Sequence, residues 1–401
     1  MKIRPVILCG GDGNRLWPKS KNNQAKQFIN FGGWSLIEKA LLRTQDKMFD
    51  DPIISTNLKF LKQIKFFLKK IKIKNYSIIL EPSKKNTAAA ILSAALIKNI
   101  PNRQPLMFFP ADHLIEKISI LNNSINANKK YLNNNNIFIF GIKPTSPSNQ
   151  YGYFFSKKFA NSTYKVTKFI EKPSEKKAKK IIKKNGYWNS GMFFARKDSI
   201  INNFKKYQPK MFNNCFNSVL KSTFKKNTLF LNKSFYNSVQ ANSFDCAILE
   251  KTKNINGIML NIPWSDLGNW NEILKIFFKN KQKYFKKKNI FYRPWGRYVN
   301  LYQGKNFLIK ELTVNQKSSI SLQKHRYRSE HWMITQGKPK ITLNKKNFFK
   351  KVNEAIYIPV GSIHRIENLY KVPVKIMEAQ IGKILKETDI VRYKDIYGRV
   401  S

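Results

Sequence analysis

Along the first half of the chain, short unbroken apolar runs alternate with longer stretches in which apolar residues recur every three or four positions. The runs Pro5–Cys9, Pro52–Thr56, Tyr76–Leu80 and Pro105–Phe109 do not alternate with polar residues, so they read as strands buried on both faces. Between them, Ser35–Lys47, Leu58–Lys72 and Asn86–Lys98 read as helices. Ser35 sits three residues before Glu38, the spacing of a capping box. This βαβα rhythm predicts a Rossmann-like α/β domain, its sheet mixed and mostly parallel, with helices on both faces. In such sheets ligands bind at the carboxyl ends of the strands. The pattern changes after Asn271. A Lys-rich stretch leads to Arg293-Pro-Trp-Gly, and short strands follow with turns at Gly304, Asn315, Gly337 and Asn344. Turns at that spacing predict a small all-β barrel. The expected organisation is a domain over 1–275, a linker over 276–290 and a barrel over 291–401.

Composition changes this picture little. The 401 residues suffice for two cores. A net charge of +52 points to nucleic acid at first sight, but 63 of the 75 basic residues are Lys, and Asn, Ile and Phe are abundant as well. All four residues have A/T-rich codons, and the basic residues are scattered along the chain. Genomic bias therefore accounts for the charge better than a nucleic-acid partner does. Three distant cysteines form no C-x-x-C pair, which excludes a disulfide framework and a zinc knuckle. There is no apolar run of membrane-spanning length, and Met1-Lys-Ile-Arg leads straight into the first strand. A soluble, cytoplasmic protein is expected, without a membrane partner.

The chemistry-bearing residues fall at the predicted strand ends. Gly10, Gly11 and Gly13 follow the first strand, where glycine lets several backbone N–H groups face one anion. Arg15 and Lys26 add full positive charges suited to a triphosphate. The spacing fits neither the Walker nor the dinucleotide pattern. Asn86 and Thr87 are placed to cap a helix. Asp112, at the end of the fourth strand, suits Mg²⁺, which takes few carboxylates plus substrate phosphates. His113 beside it reads as a structural or rim residue. Glu171 and Lys172 form an acid–base pair in a turn, Asn189 is an amide suited to sugar hydroxyls, and Asp266 is a second acid in a tight turn. Three of the four histidines lie after Arg293. Gln323, His325, Glu330 and His364 make a mixed nitrogen and oxygen set for a divalent ion with open positions.

The stretches CGGDGNRLWPKS (9–20), EPSKKNTAAA (81–90), FFPADH (108–113), GIKPTSPSNQYGY (141–153), FIEKP (169–173), YWNSGM (187–192) and WSDLGNW (264–270) come in the order of those in the sugar-nucleotide pyrophosphorylases. They resemble the mannose-1-phosphate guanylyltransferases in particular. The resemblance implies that Glu81 accepts from guanine N–H groups in a loop that includes Asn86 and Thr87. It implies that Tyr151 and Gly152 lie over the sugar, that Glu171 meets its hydroxyls, and that Lys172 meets its phosphate. It further implies Mg²⁺ held by Asp112 and Asp266. SLQKHRYRSEHW (321–332) and YIPVGSIHRIEN (357–368) resemble the cupin (jelly-roll) domain of type II phosphomannose isomerases, which implies a divalent ion of the Zn²⁺ or Co²⁺ class. Arg326 and Tyr327 stand where that family has two His, and the connection between the domains is short. The implied substrates are GTP, mannose 1-phosphate, and mannose 6-phosphate with fructose 6-phosphate; a homo-oligomer stays open. The alternatives are a guanylyltransferase whose cupin is only structural, and a basic RNA-associated protein.

Overall fold

A computed structural model describes residues 1–11, 25–29, 34–160, 162–267, 290–304 and 306–394. Gly13, Arg15 and the expected linker up to residue 289 lie outside the described residues. The chain divides into two compact units, Met1–Asn269 and Trp270–Ser401.

The first unit is built on an eleven-stranded mixed sheet. At its centre Arg4–Cys9 pairs in parallel with Ile53–Asn57 on one side and Pro105–Pro110 on the other, and Ser77–Glu81 extends the parallel part. The apolar runs are buried on both faces, as their lack of alternation predicts. Val6 packs into a cluster with Ala88, Leu92 and Phe204, while its neighbour Ile7 packs with Ile37, Ile64 and Leu68. Helices thus cover opposite faces of one strand. Because the first strand has neighbours reached by connections running in opposite directions, its carboxyl end opens a crevice beside that of Pro105–Pro110. Gly10 and Asp112 stand at these two ends.

Beyond Pro105–Pro110 antiparallel pairs enter, although Ile255–Leu260 still pairs in parallel with Ile137–Ile142. Tyr187–Arg196 pairs against both Pro105–Pro110 and Ile137–Ile142, and Tyr153–Ala160 forms a hairpin with Thr163–Ile170. A separate two-residue ladder brings the end of the unit back to the crevice. In it Trp264–Ser265 pairs with Leu114–Ile115 and carries Asp266 toward Asp112.

Element ends differ from expectation where local polar groups intervene. The helix after Ser35 covers only Leu36–Arg43, and Asp46 then accepts the Met48 N–H in a turn. Leu58–Phe60 is a 3₁₀ turn before the helix Leu61–Lys70. Asn86 and Thr87 do not cap the helix Asn86–Ala95 from outside. Lys85 holds the cap position without a side-chain bond, while Asn86, at φ 65°, accepts the Thr87 N–H. Among the described residues no helix is long and apolar enough to cross a membrane.

The second unit consists of two antiparallel sheets. One orders Ile290–Arg293, Gly296–Gly304, Phe307–Val314, Val374–Gly382, Arg328–Gln336 and Ala355–Ile358. The other orders Lys346–Phe349, Lys340–Leu343, His364–Glu367, Leu322–His325 and Ile390–Lys394. Their inner faces share one core, in which Ile341 and Ile366 of the second sheet meet Trp332, Val374 and Ile376 of the first. Gly296 turns the first hairpin at φ 143°, where a Cβ would stand 2.0 Å from the Thr313 carbonyl oxygen.

The capping box is present in full: Glu38 Oε2 accepts from the Ser35 amide at 2.7 Å, and Ser35 Oγ accepts from the Glu38 amide at 3.4 Å. Ser35→Ala should lower the stability of the first unit by ~1 kcal/mol, read as a shifted midpoint in chemical denaturation. An unchanged midpoint would show that the box contributes nothing to this helix.

Candidate functional site

The crevice predicted at the strand ends is a cleft of about 640 Å³. Its walls include Gly10, Gly11, Glu81, Asn86, Thr87, Asp112, Tyr151, Gly152, Glu171, Lys172, Asn189 and Asp266. Tertiary structure therefore brings together on one surface residues that lie up to 256 positions apart, from Gly10 to Asp266. The glycine turn is held by its carbonyls. Thr56 Oγ1 donates to the Cys9 carbonyl at 2.9 Å, and Gln27 Nε2 to the Gly11 carbonyl at 3.0 Å.

Lys26 is buried below the cleft, 4% exposed. Its ammonium donates to Asp112 Oδ2 at 3.0 Å and to the backbone carbonyl of Asp266. Asp266 Oδ1 in turn accepts from the Tyr151 hydroxyl at 2.8 Å. Tyr151 is fixed by aromatic edges, with Trp188 at 4.9 Å and Trp264 at 5.2 Å between ring centroids. Burial works to raise the Asp112 carboxyl, but the Lys26 ammonium, by charge and by hydrogen bond, leads the groups that outweigh it and hold it below the usual range. Asp112 is consequently an anion facing the cleft. His113 is pushed the other way: burial lowers its pKa and favours the neutral ring, which packs edge-on against Trp264.

At the opposite end, Glu81 is engaged through both oxygens, by Ser55 Oγ and by the Tyr236 hydroxyl, each at 2.7 Å. Burial pushes its carboxyl up, and these two donors counter that only in part. Between the ends, Lys172 approaches Glu171 at 3.3 Å, and Asn189 Nδ2 donates to Asp245 Oδ1 at 2.7 Å. Gly152 permits this packing, since a Cβ there would stand 2.7 Å from Glu171 Oε2.

In the second unit His325, Glu330 and His364 place one ligand atom each within 4.8 Å of one another. All three are buried and come from both sheets. His325 Nε2 lies 2.9 Å from Glu330 Oε1, and His364 Nε2 lies 3.6 Å from Glu330 Oε2. His364 Nδ1 is 2.9 Å from the Ser362 carbonyl, so Nδ1 carries the proton and Nε2 presents its lone pair, buried and without a hydrogen bond among the described residues. Burial lowers the His364 pKa to about 4. Gln323 faces His364 across the ladder, but its Oε1 already accepts from Ser321 Oγ at 2.9 Å. A possible metal site exists here, built on three of the four expected side chains with the fourth beside them.

Sequence reading missed several side chains that complete these sites. Asp245 lines the cleft, and Ser55 and Tyr236 are buried behind it against Glu81; in the second unit they are Arg328, Trp332, Glu378 and Gln380. Arg328 Nε, Trp332 Nε1 and Gln380 Nε2 all donate to the Glu330 carboxylate, at 3.2, 3.0 and 3.0 Å. Here a signal existed. Arg328, Glu330 and Trp332 alternate along one strand, as do Glu378 and Gln380 on its neighbour, so each set shares a face. Burial and the Glu330 charge push the Glu378 carboxyl up to about 8. Asp245 gave a weaker signal, a lone acid opening the apolar turn Asp245–Leu249.

A glycine turn and two acids at the carboxyl ends of a mixed sheet, followed by an all-β unit with a buried His/Glu/His group, define a two-part enzyme of the nucleotide-transferring class. The nucleotidyl transferase family model matches residues 4–283, well over half of the chain, which therefore belongs to that family. Residues 279–395 match the model of the mannose-6-phosphate isomerase C-terminal domain. The alginate biosynthesis protein AlgA of Pseudomonas putida is 29% identical, over 99% of this chain and 96% of that protein. That alignment spans 472 positions against 401 residues here, so the relative carries residues this chain lacks. The mannose-1-phosphate guanylyltransferase of Klebsiella pneumoniae is 28% identical, covering 99% of this chain and all of that one. Among solved structures, mannose-6-phosphate isomerase from Helicobacter pylori is 28% identical with a TM-score of 0.58, covering 66% of this chain and 100% of that one.

The lowered His364 pKa makes a stability prediction. Below pH 6.5 the unfolded chain takes up a proton that the folded barrel refuses until about pH 4. Between those values the His364 contribution to the metal-free stability of the second unit should fall as pH falls, by up to about 3 kcal/mol, while Glu378, raised to about 8, contributes in the opposite sense as pH falls toward the ordinary carboxylate range. Glu330, held well below the usual carboxylate range against burial by His325, His364 and Arg328, adds a loss of its own only as pH falls through that ordinary range, at the acid end of the window. Denaturation followed by tryptophan fluorescence at several pH values should show the native chain losing stability relative to His364→Gln as pH falls from 6.5 to 4. An equal slope in the variant would assign the effect elsewhere.

Proposed function

We propose that the first unit joins GTP to mannose 1-phosphate, forming GDP-mannose and pyrophosphate, and that the second interconverts mannose 6-phosphate and fructose 6-phosphate. The observation that carries the first part is the Lys26 ammonium drawing Asp112 and Asp266 together at the rim of a cleft that also holds Glu171, Lys172 and Asn189. The names of similar proteins point to mannose 1-phosphate, a guanylyl group and mannose 6-phosphate.

In this reading a phosphate oxygen of mannose 1-phosphate attacks the α-phosphorus of GTP. The new P–O bond forms as the bond to the β-phosphate oxygen breaks, and pyrophosphate carries the charge away. No covalent bond to the protein is needed, so catalysis rests on alignment and on charge. Asp112, kept ionised and 39% exposed at its side chain, and Asp266 suit a hard cation with oxygen ligands. Mg²⁺ held by these two acids would supply neutralisation of phosphate charge. Lys26 offsets the Asp112 charge before substrates arrive and ties down the Asp266 backbone, and Arg15 with Gly10, Gly11 and Gly13 grips the triphosphate. Glu81, Asn86 and Thr87 line the guanine end; Ser55 and Tyr236 fix the Glu81 carboxylate there. Tyr151, Gly152, Glu171, Lys172 and Asn189 hold the hexose phosphate.

In the barrel the unpartnered His364 Nε2, the nearby His325 Nε2 and the Glu330 carboxylate fit an ion of the Zn²⁺ or Co²⁺ class, with Gln323 as a fourth donor. An ion held by these residues would supply Lewis-acid polarisation of the sugar carbonyl. Arg328, Trp332 and Gln380 keep Glu330 oriented.

Incubating the protein with mannose 1-phosphate and each of the four nucleoside triphosphates tests the first part. GTP should release pyrophosphate, and equal release from ATP or none from any would overturn it. Asp112→Asn, Asp266→Asn and Lys26→Ala should each cut kcat about a hundredfold or more, with melting temperature checked on the same preparations. A variant keeping near-normal turnover at saturating Mg²⁺ removes that residue from the machinery.

His364→Ala separates the units. It should abolish isomerisation and leave GTP-dependent transfer nearly unchanged, because the two sites share no residue. Parallel loss of both at unchanged melting temperature would refute independent sites. A native chain that isomerises nothing with added Co²⁺ or Zn²⁺ would leave the barrel a support for the transferase.

A further inference from the structure

Asp245 is an acid that the proposed reaction does not use, yet it faces the cleft. It opens the single π-helical turn Asp245–Leu249, whose Ala247, Ile248 and Leu249 are sealed in the core, so its backbone has little freedom. The preceding segment is pinned to the helix that starts at Asn86: Thr87 Oγ1 accepts from the Phe244 amide at 2.9 Å, and the Asn242 carbonyl accepts from the Ala88 amide at 3.2 Å. The side chain is thereby held against Asn189. Asn189 Nδ2 donates to Asp245 Oδ1, while Asn189 Oδ1 accepts from the Gly191 amide at 3.3 Å. The amide is fixed from both ends, with one N–H left over. The Asp245 carboxylate has about four acceptor positions and spends one on that bond and one on its own amide.

We propose that Asp245 accepts a hydrogen bond from a ring hydroxyl of the hexose phosphate, beside Glu171 and Asn189, and that the pair of acids makes this pocket select an uncharged ring over a carboxylated one. The proposal rests on the reading that the hexose phosphate lies at Glu171, Lys172 and Asn189. Two acids on one wall, with the Lys172 ammonium beside them, are costly in the empty protein. Burial first, and then the Glu171 charge, push the Asp245 carboxyl up to about 7. Hydroxyl donors relieve that cost, whereas a hexuronic acid brings a third carboxylate and increases it. The same arrangement is a poor choice for mere structural support, since an amide at 245 would fill the same space without the charge.

Asp245→Asn tests this, because it keeps shape while removing charge and acceptor capacity. KM for mannose 1-phosphate should rise about tenfold while KM for GTP stays within about twofold, since a hydrogen bond to a charged group is lost only on the sugar side. The preference for mannose 1-phosphate over glucuronic acid 1-phosphate, as a ratio of kcat/KM, should shrink. The melting temperature should hold or rise. A merely structural Asp245 predicts the opposite: a lower melting temperature, with both KM values moving together. Titration calorimetry of the native protein and of Asp245→Asn with mannose 1-phosphate alone separates this inference from the reading beneath it. A native protein that binds no mannose 1-phosphate overturns the parent reading. Native-like binding and native-like sugar preference in the variant overturn the role of Asp245. Asp245→Ser is the second variant should the first not fold, with the same outcomes.

Discussion

A buried ammonium must be compensated, and in the first unit Lys26 is compensated from two directions. Asp112 reaches it from the end of a sheet strand, and the Asp266 carbonyl reaches it from a two-residue ladder near the unit's far end, 86 and 240 positions away. The desolvation cost of such a charge is offset only while both partners stay in place. The bond therefore works as a closure. It couples an early segment of the first unit to its end, and it fixes the spacing of the two acids that face the cleft. Tyr151, wedged between Trp188 and Trp264, adds a hydroxyl from a third segment. Around this closure the wider cleft is organised by the same logic, in which each polar side chain is positioned by another one rather than by solvent.

The barrel repeats that logic around a single anion. Glu330 is 0% exposed, and its carboxylate receives Arg328, Trp332 and Gln380, with His325 at 2.9 Å. A carboxylate so fully desolvated stays ionised only because cationic and N–H groups surround it, which is why its pKa falls while that of neighbouring Glu378 rises. The second acid absorbs the electrostatic cost of the first. In both units burial and neighbouring charge pull acids in opposite directions. At Asp112 the neighbours win over burial; at Asp245 and Glu378 burial and a like charge win.

Much of the cleft was legible in the sequence because its chemistry sits where the strand pattern ends. An unbroken apolar run followed by glycines, or by Asp112, can only present those residues at the carboxyl end of a buried strand. The capping box at Ser35 was legible for a similar reason, since its two partners are three residues apart and meet whatever the rest of the fold does. Asn86 shows the limit. Its type and place suggested a cap, but at a positive φ its side chain turned to the Thr87 amide instead. Nothing within the local sequence distinguishes those two hydrogen bonds.

The sequence by itself determined the two-part architecture, the edges at which polar residues collect, and the family to which the chain belongs, because these follow from periodicity and from motifs read over a few residues. Tertiary structure alone decided which acids share a pocket and which partner each buried group takes. Glu81 against Tyr236, Asn189 against Asp245 and Glu330 against Gln380 are 155, 56 and 50 positions apart. No local pattern encodes such pairs, since they are selected by the requirement that every desolvated polar atom find a partner once the sheets have closed. The protonation of these groups depends on the same pairs, so the electrostatics of both sites is a property of the folded chain.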